Sequence, residues 1–331
     1  MHSRFSRIAY NAEYLANWYR VPSDLLEFAR KFKPDAIFTV PDNTHSGLAL
    51  GLSKKLNVPL IVDFQDLFPL SRFIPRFMEP YGWIRKTLLR KTFALNRAAD
   101  LAFYTSEGML DYFRGSKNAH VLYPIGDFDI TREPVKAALP NKRITLVYAG
   151  NCYGAYGRML LAFAKLVKTS PDIHLKIFPV GKDWTDEEIT EMTDAGIYQK
   201  FLPFPELKIE LASCDAFLTV MSFEKDQEPF VRTSFTTKWL DYAPFGKPIF
   251  VWGPDYCSGV VFAKKYQCGA IASDPKATAL LEVINRTTNN EKDWLALGQK
   301  ARKAADTILN PDSIHRTLVE QVAKLLESKH A

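Results

Sequence analysis

The chain has 331 residues, 47% of them apolar and 24% charged, with a net charge of +6. That length supports two domains with cores of their own, and the balance excludes disordered, fibrous and disulfide-framework chains. The mild positive surplus suits anionic partners without singling out nucleic acid. No run of about 18 apolar residues could span a bilayer, and no signal-peptide core is expected at the N-terminus. Cys152, Cys214, Cys257 and Cys268 lack CxxC spacing, which points to reduced, buried thiols and a cytoplasmic setting.

In chain order, DLLEFARKF (24–32) has helical spacing and KPDAIFTVP (33–41) reads as a strand. HSGLALGLSKKL (45–56) is a helix and VPLIVDFQD (58–66) a buried strand ending in acids. KTFALNRAAD (91–100), LAFYTS (101–106), EGMLDYFRG (107–115) and AHVLYPIG (119–126) follow as helix, strand, helix and strand. Strands separated by helices at this spacing imply right-handed parallel crossovers and a doubly wound sheet. DFDITREPVKAALPNK (127–142) is polar with two prolines and contains the linker, placed at 131–142.

The pattern then restarts. ITLVYAGN (144–151) is a strand, RMLLAFAKLVK (158–168) a helix, HLKIFPVG (174–181) a strand and DEEITEMTDAG (186–196) a capped helix. FLPFP (201–205), PELKIELASC (205–214) and DAFLTVMS (215–222) read as strand, helix and strand. In SFTTKWLDYAPFGKPIFVWGP (234–254), Ser234, Thr236 and Thr237 are N-cap candidates for a short helix. Gly246 and Pro248 stop it before the buried strand IFVW. GAIAS (269–273), helices near 276–290 and 291–308, and the amphipathic DSIHRTLVEQVAKLLES (312–328) complete the chain. The expected fold is α/β, with two Rossmann-like parallel-sheet domains facing a cleft. They are an acceptor-side domain at 1–130 and a second domain at 143–310, followed by a C-terminal helix at 311–331.

Ligands of such sheets bind beyond the carboxyl ends of the strands, where strand order reverses. In the second domain this edge gathers Gly150 and Asn151, the charged loop with Glu224, Glu228 and Arg232, and the turn with Thr237, Lys238 and Asp241. A helix start with Lys238 suits a pyrophosphate, and Asp241 one turn on is placed to accept from a ribose diol. The bland alternative is an exposed Lys–Asp pair worth a few tenths of a kcal/mol.

The order AGN … ASCDAFLTVMS … TSFTTKWLDYAPFGKPIFVWGP resembles the nucleotide-sugar-binding half of GT-B glycosyltransferases, in the large retaining family of bacterial polysaccharide enzymes. KPDAIF, VPLIVDFQDLFP, AADLAFYTSEGMLDYF and YPIGDFD are similar to the later part of that family's acceptor domain. The resemblance implies that Asp241 binds ribose with Thr237 and Lys238 beside it, and that Gly150 and Asn151 lie near the diphosphate. The family's second acid, eight residues before the ribose-binding one, is Thr233 here, which leaves sugar contacts to Glu224 or Glu228. Its Arg-x-x-x-x-Lys pair is also missing, which leaves Arg158 and Lys238 as the phosphate cations. The family's opening strands have no counterpart, so the first domain is expected to be incomplete. A truncated product, a second polypeptide supplying the missing part, and a remodelled domain are the three explanations.

Asp66 and His45 are candidates for an acceptor-side or general-base role, against structural readings of each. Asp127-Phe128-Asp129 spells DxD but falls next to the linker, and no His or Cys spacing suits zinc, so neither a metal nor another cofactor is expected. The stretch 68–97 carries seven Lys/Arg and one Glu among aromatics, and Arg85, Lys86, Arg90 and Lys91 could meet an anionic membrane surface. No recognised module accompanies it for nucleic acid. The expected function is transfer of a sugar from a nucleotide sugar to a glycan or lipid-linked glycan, metal-independent and retaining. It would take place in the cytoplasm or peripherally on the cytoplasmic membrane face. The rivals are a degenerate subunit that binds a nucleotide sugar or partner protein, and a nucleotide-sugar epimerase or hydrolase.

Overall fold

The structure is a computed structural model that describes residues 20–41, 46–67, 83–114, 118–126 and 143–330. His45, the linker at 131–142 and Asp127-Phe128-Asp129 lie outside the described residues. The chain forms two compact units. The first comprises 1–123, 232–234 and 314–331, and the second 124–231 and 235–313.

The first unit's strands are β1 (Ile37–Thr39), β2 (Leu60–Phe64), β3 (Leu101–Tyr104) and β4 (Ala119–Val121). They pair in parallel in chain order, so no reversal occurs among the described strands. Every residue of β2 and β3 is buried, as expected of strands covered on both faces. Leu50, Val62, Phe64, Leu95, Tyr104 and Phe113 share one core. On the opposite face Ile61, Leu101 and Phe103 meet Leu325, with Leu318 and Val322 beside it, from the C-terminal helix Pro311–His330. The segment 232–234 joins this unit through Ser106. The Ser106 Oγ accepts from the Met109 amide (3.0 Å) and donates to the Thr233 carbonyl (2.6 Å).

The basic helix runs Trp83–Ala98 and so begins earlier than the pattern at 91–100 indicates. Lys86, Arg90 and Arg97 are exposed, whereas Lys91 is half-buried and burial lowers its ammonium pKa. Arg85 lies on this helix, with its side chain outside the described residues.

The second unit contains β5 (Ile144–Cys152), β6 (Ile173–Lys182), β7 (Ala216–Val220), β8 (Ile249–Trp252) and β9 (Ala270–Ala272). All are parallel, in the order β6-β5-β7-β8-β9. The chain steps from β5 to β6 on one side, then crosses back to β7 on the other. That reversal opens a crevice at the carboxyl ends of β5 and β7. Leu146, Tyr148, Phe163, Leu175, Leu218, Trp252 and Trp294 belong to one continuous core.

Two local expectations change. Residues 201–205 are not a strand, because Pro203 is the N-cap of helix Phe204–Ser213 and Pro205 sits in its first turn. Proline's fixed φ and missing N–H suit that position and oppose a sheet ladder. The helix Lys238–Tyr242 has Thr237 at its N-cap, without a side-chain capping bond. Its Trp239 and Leu240 amides instead donate to the Thr236 (3.3 Å) and Thr237 (2.9 Å) carbonyls. The helix Asp186–Asp194 does carry a full capping box between Thr185 and Glu188.

Candidate functional site

The crevice of the second unit is built where β5 leaves β7. β5 pairs with β6 along its whole length, but with β7 only through Leu146 and Val147. Beyond that point the strand runs through Gly150, whose φ of +142° favours glycine. A Cβ at Gly150 would lie 2.7 Å from the Lys238 Nζ, so the missing side chain also makes room for that lysine.

Lys238 is half-buried, with its Nζ 5.0 Å from the centre of the Tyr148 ring. Burial lowers its ammonium pKa, while Asp241 and Cys152 work in the other direction. A cation held against an aromatic face at the end of β5 is poised to meet an anion, whose arrival would stabilise the charged form. Asp241 is half-buried one turn further on the same helix. Thr237 is exposed at the helix entrance. Since the first helical amides are already bonded, Lys238 contributes the positive charge here more than the helix terminus does.

Arg158 lies in the second turn of helix Gly154–Val167, which starts four residues before the pattern at 158–168. Its guanidinium forms an ion pair with Glu224, from the loop after β7. That contact spans the two strands that diverge, and both partners remain partly exposed to an incoming ligand. The amino end of the same helix is occupied by protein, because Asp183 accepts from the Gly154 amide. Asn151 is exposed, and its side chain accepts from the Tyr153 amide (2.9 Å). Glu228 is half-buried at the start of the next helix.

Gly150, Asn151, Arg158, Glu224, Lys238 and Asp241 are thus elements of one unit's strand ends and adjoining helices. Arg232 is assigned to the first unit, where its carbonyl packs against Gly108. Thr233, at the position of the family's second acid, is fully buried and engaged by Ser106. In the first unit Asp66 is exposed just past β2, with its carboxyl pKa raised by partial burial. Asp63, within β2, is buried and raised for the same reason. It accepts from the Gln65 amide (2.9 Å), which partly offsets that cost.

Sequence reasoning missed three contributors. Tyr148 lies under Lys238 and donates through its hydroxyl to the Asn151 carbonyl (2.7 Å). Tyr242 bonds the Ala149 backbone, and Asp183 caps the helix after β5. No local signal marks the Tyr242 and Asp183 contacts, because their partners are 93 and 29 residues away in the chain. Cys152 lies beneath the site, but burial pushes its thiol up to about 12, so it stays neutral and unreactive. Among the described residues, no group of three or more His, Cys, Asp or Glu comes together as a metal would require.

No known family profile matches the chain, and neither does any curated protein. Solved structures do. HepE from Anabaena in complex with UDP is 16% identical, with a TM-score of 0.67 over 91% of this chain and 81% of that one. Sucrose-phosphate synthase from Thermosynechococcus elongatus is 16% identical, with a TM-score of 0.64 over 91% and 76% of the two chains. A glycosyltransferase from Rickettsia africae is 13% identical, with a TM-score of 0.64 over 98% and 84%. With its two parallel-sheet α/β units, the chain has the fold of the GT-B glycosyltransferases.

Proposed function

We propose that the protein transfers a sugar from a nucleotide-sugar donor to a hydroxyl of a glycan or lipid-linked glycan. What supports this reading is the reversal of strand order at β5 and β7, with Lys238 held against Tyr148 at the end of β5 and the Arg158–Glu224 pair linking the helix after β5 to the loop after β7. HepE, of the same fold, has been solved with UDP and with glucose, which supports a nucleoside diphosphate as the leaving group.

In this reading Lys238 and Arg158 neutralise the diphosphate as the glycosidic bond to it breaks, with Gly150 allowing close backbone approach. Fixed cations aimed at developing charge supply the kind of stabilisation that a metal supplies elsewhere. Asp241 accepts from the ribose hydroxyls. Glu224, released from Arg158 when phosphate arrives, and Glu228 take the sugar hydroxyls. Asp66 serves the acceptor side. By resemblance the reaction retains anomeric configuration. A second polypeptide completing the first unit would join at β1, which stands at the edge of the described sheet with Phe38 51% exposed.

A second reading, a nucleotide-sugar-binding subunit without turnover, is favoured by Thr233. A buried threonine occupies the place of the family's sugar-handling acid. Turnover separates the two. The expected result is release of a nucleoside diphosphate from one donor in a panel of nucleotide sugars, dependent on an added glycan or lipid-linked acceptor. Release without acceptor indicates a hydrolase, and interconversion of the donor sugar an epimerase. Binding without release indicates the subunit.

A lipid-linked acceptor also calls for a membrane-facing surface, and the exposed stripe Lys86, Arg90 and Arg97 supports one. Among the described residues no helix is long and apolar enough to cross a membrane. At about 1 kcal/mol per basic residue near an anionic surface, changing all three to serine weakens co-sedimentation with phosphatidylserine vesicles by roughly 100-fold. Unchanged co-sedimentation removes the membrane from the proposal.

A further inference from the structure

We propose that Tyr242 is a positioning residue of the nucleotide site, fastening the helix that carries Lys238 and Asp241 to the free end of β5. The proposal rests on the nucleotide reading for its consequence, but on geometry for its content. Residues of β5 turn alternately to either neighbour, and Thr145 and Ala149 share one side. Thr145 meets the residue just before β7 there, since its amide donates to the Asp215 carboxylate (2.7 Å) and its carbonyl accepts from the Asp215 amide (2.9 Å). Val147 pairs with Phe217. Ala149 comes next on that side, after β7 has diverged, and the Tyr242 hydroxyl takes its place. The hydroxyl accepts from the Ala149 amide (2.9 Å) and lies 3.4 Å from the Ala149 carbonyl as donor.

One phenol thus stands in for a strand residue, accepting and donating at the same peptide. The Tyr242 ring is buried and stacks on Phe217, with centroids 4.5 Å apart and planes 9° apart. Burial raises the phenol pKa, so it keeps the proton it donates. A five-residue helix has little stability of its own, so its orientation comes from contacts like these. Three consecutive β5 residues touch it: Tyr148 and Gly150 through Lys238, and Ala149 through Tyr242. Asp241 adjoins Tyr242 in the chain, so a helix loosened at Tyr242 carries both the acid and the cation away from Gly150.

Tyr242→Phe keeps the ring stack and removes only the hydroxyl. In hydrogen exchange of the unliganded protein, the amides of Ala149 and of 238–242 are expected to exchange about tenfold faster. Those of the distant helix Ala277–Thr288 should not change. Titrated with UDP, or with whichever nucleotide the wild type binds, the variant is expected to bind about tenfold more weakly. Lys247→Met, altered at the amino end of β8, serves as a control that loses stability without losing affinity. Unchanged exchange at 149 and 238–242 overturns the proposal whether or not a nucleotide binds. Faster exchange with undiminished affinity in a wild type that binds overturns the positioning role. A wild type that binds no nucleotide overturns the functional reading, while the exchange result still decides the contact.

Discussion

Lys247→Met is expected to lower the melting temperature by about 6–12 °C, the largest stability loss foreseen for a single change. Lys247 is buried, at 4% exposure, and its ammonium donates to the carbonyls of Leu211 (3.2 Å), Ala212 (2.6 Å) and Cys214. These carbonyls end helix Phe204–Ser213 and have no partner further along that helix. A cation at a helix C-terminus also meets the negative end of its dipole. Methionine keeps much of the stem's volume but takes this donor from the Ala212 and Cys214 carbonyls, while the Leu211 carbonyl still accepts from the Cys214 thiol (3.2 Å), at roughly 3 kcal/mol in total. For a unit of this size each kcal/mol moves the melting point by about 2–4 °C.

Burial is the main reason the Lys247 ammonium pKa is below 10.5, with Cys214 and Asp215 pulling the other way. The unfolded chain therefore holds this proton more tightly, so wild-type stability rises with pH in the window just below 10.5. The methionine variant loses that rise. A scan by differential calorimetry checks both effects, and a melting point within a degree or so of wild type contradicts the first.

Asp241→Ala is expected to weaken nucleotide binding by roughly 10- to 100-fold with little change in stability. Losing the equivalent of one hydrogen bond to a charged acceptor costs about 1.5–3 kcal/mol, which is a factor of that size. The carboxylate also raises the Lys238 ammonium pKa against the effect of burial, so its removal makes that cation easier to neutralise. Binding by the variant should weaken further as pH rises, because the phosphate partner then loses charge. In the folded apo-protein Asp241 is only half-buried on a short helix, so its removal leaves the core intact.

Much of the fold is legible in the sequence because buried parallel strands are short apolar runs. LIVDF, LAFY, AFLTV and IFVW became β2, β3, β7 and β8 with every residue buried. The Thr185–Glu188 capping box is equally local, as is Gly246, which ends the 3-10 turn Ala243–Phe245 after helix Lys238–Tyr242 with a φ of +63°. Residues 201–205 resemble a strand in sequence because of their apolar content, whereas their two prolines favour a helix start. The candidate site was legible in part. The acid, the cation and the glycine follow from strand ends in an α/β alternation. The contacts that hold them do not, since Tyr242 with Ala149 and Lys247 with Cys214 are set by packing between distant segments. Arg232–Ser234 belongs to the first unit for the same reason: its carbonyls, not its side-chain pattern, engage Ser106 and Gly108.

The most direct measurement is a thermal-shift titration of wild type and Asp241→Ala with UDP, GDP, ADP, CMP and dTDP. A ligand at 100 times its dissociation constant stabilises by about 2.7 kcal/mol, which moves a melting point by several degrees. One of these nucleotides is expected to raise the wild-type melting point by that much, and to shift Asp241→Ala by about half as much or less at the same concentration. No shift with any of them, or an undiminished shift in the variant, would contradict a nucleotide site built on Lys238 and Asp241.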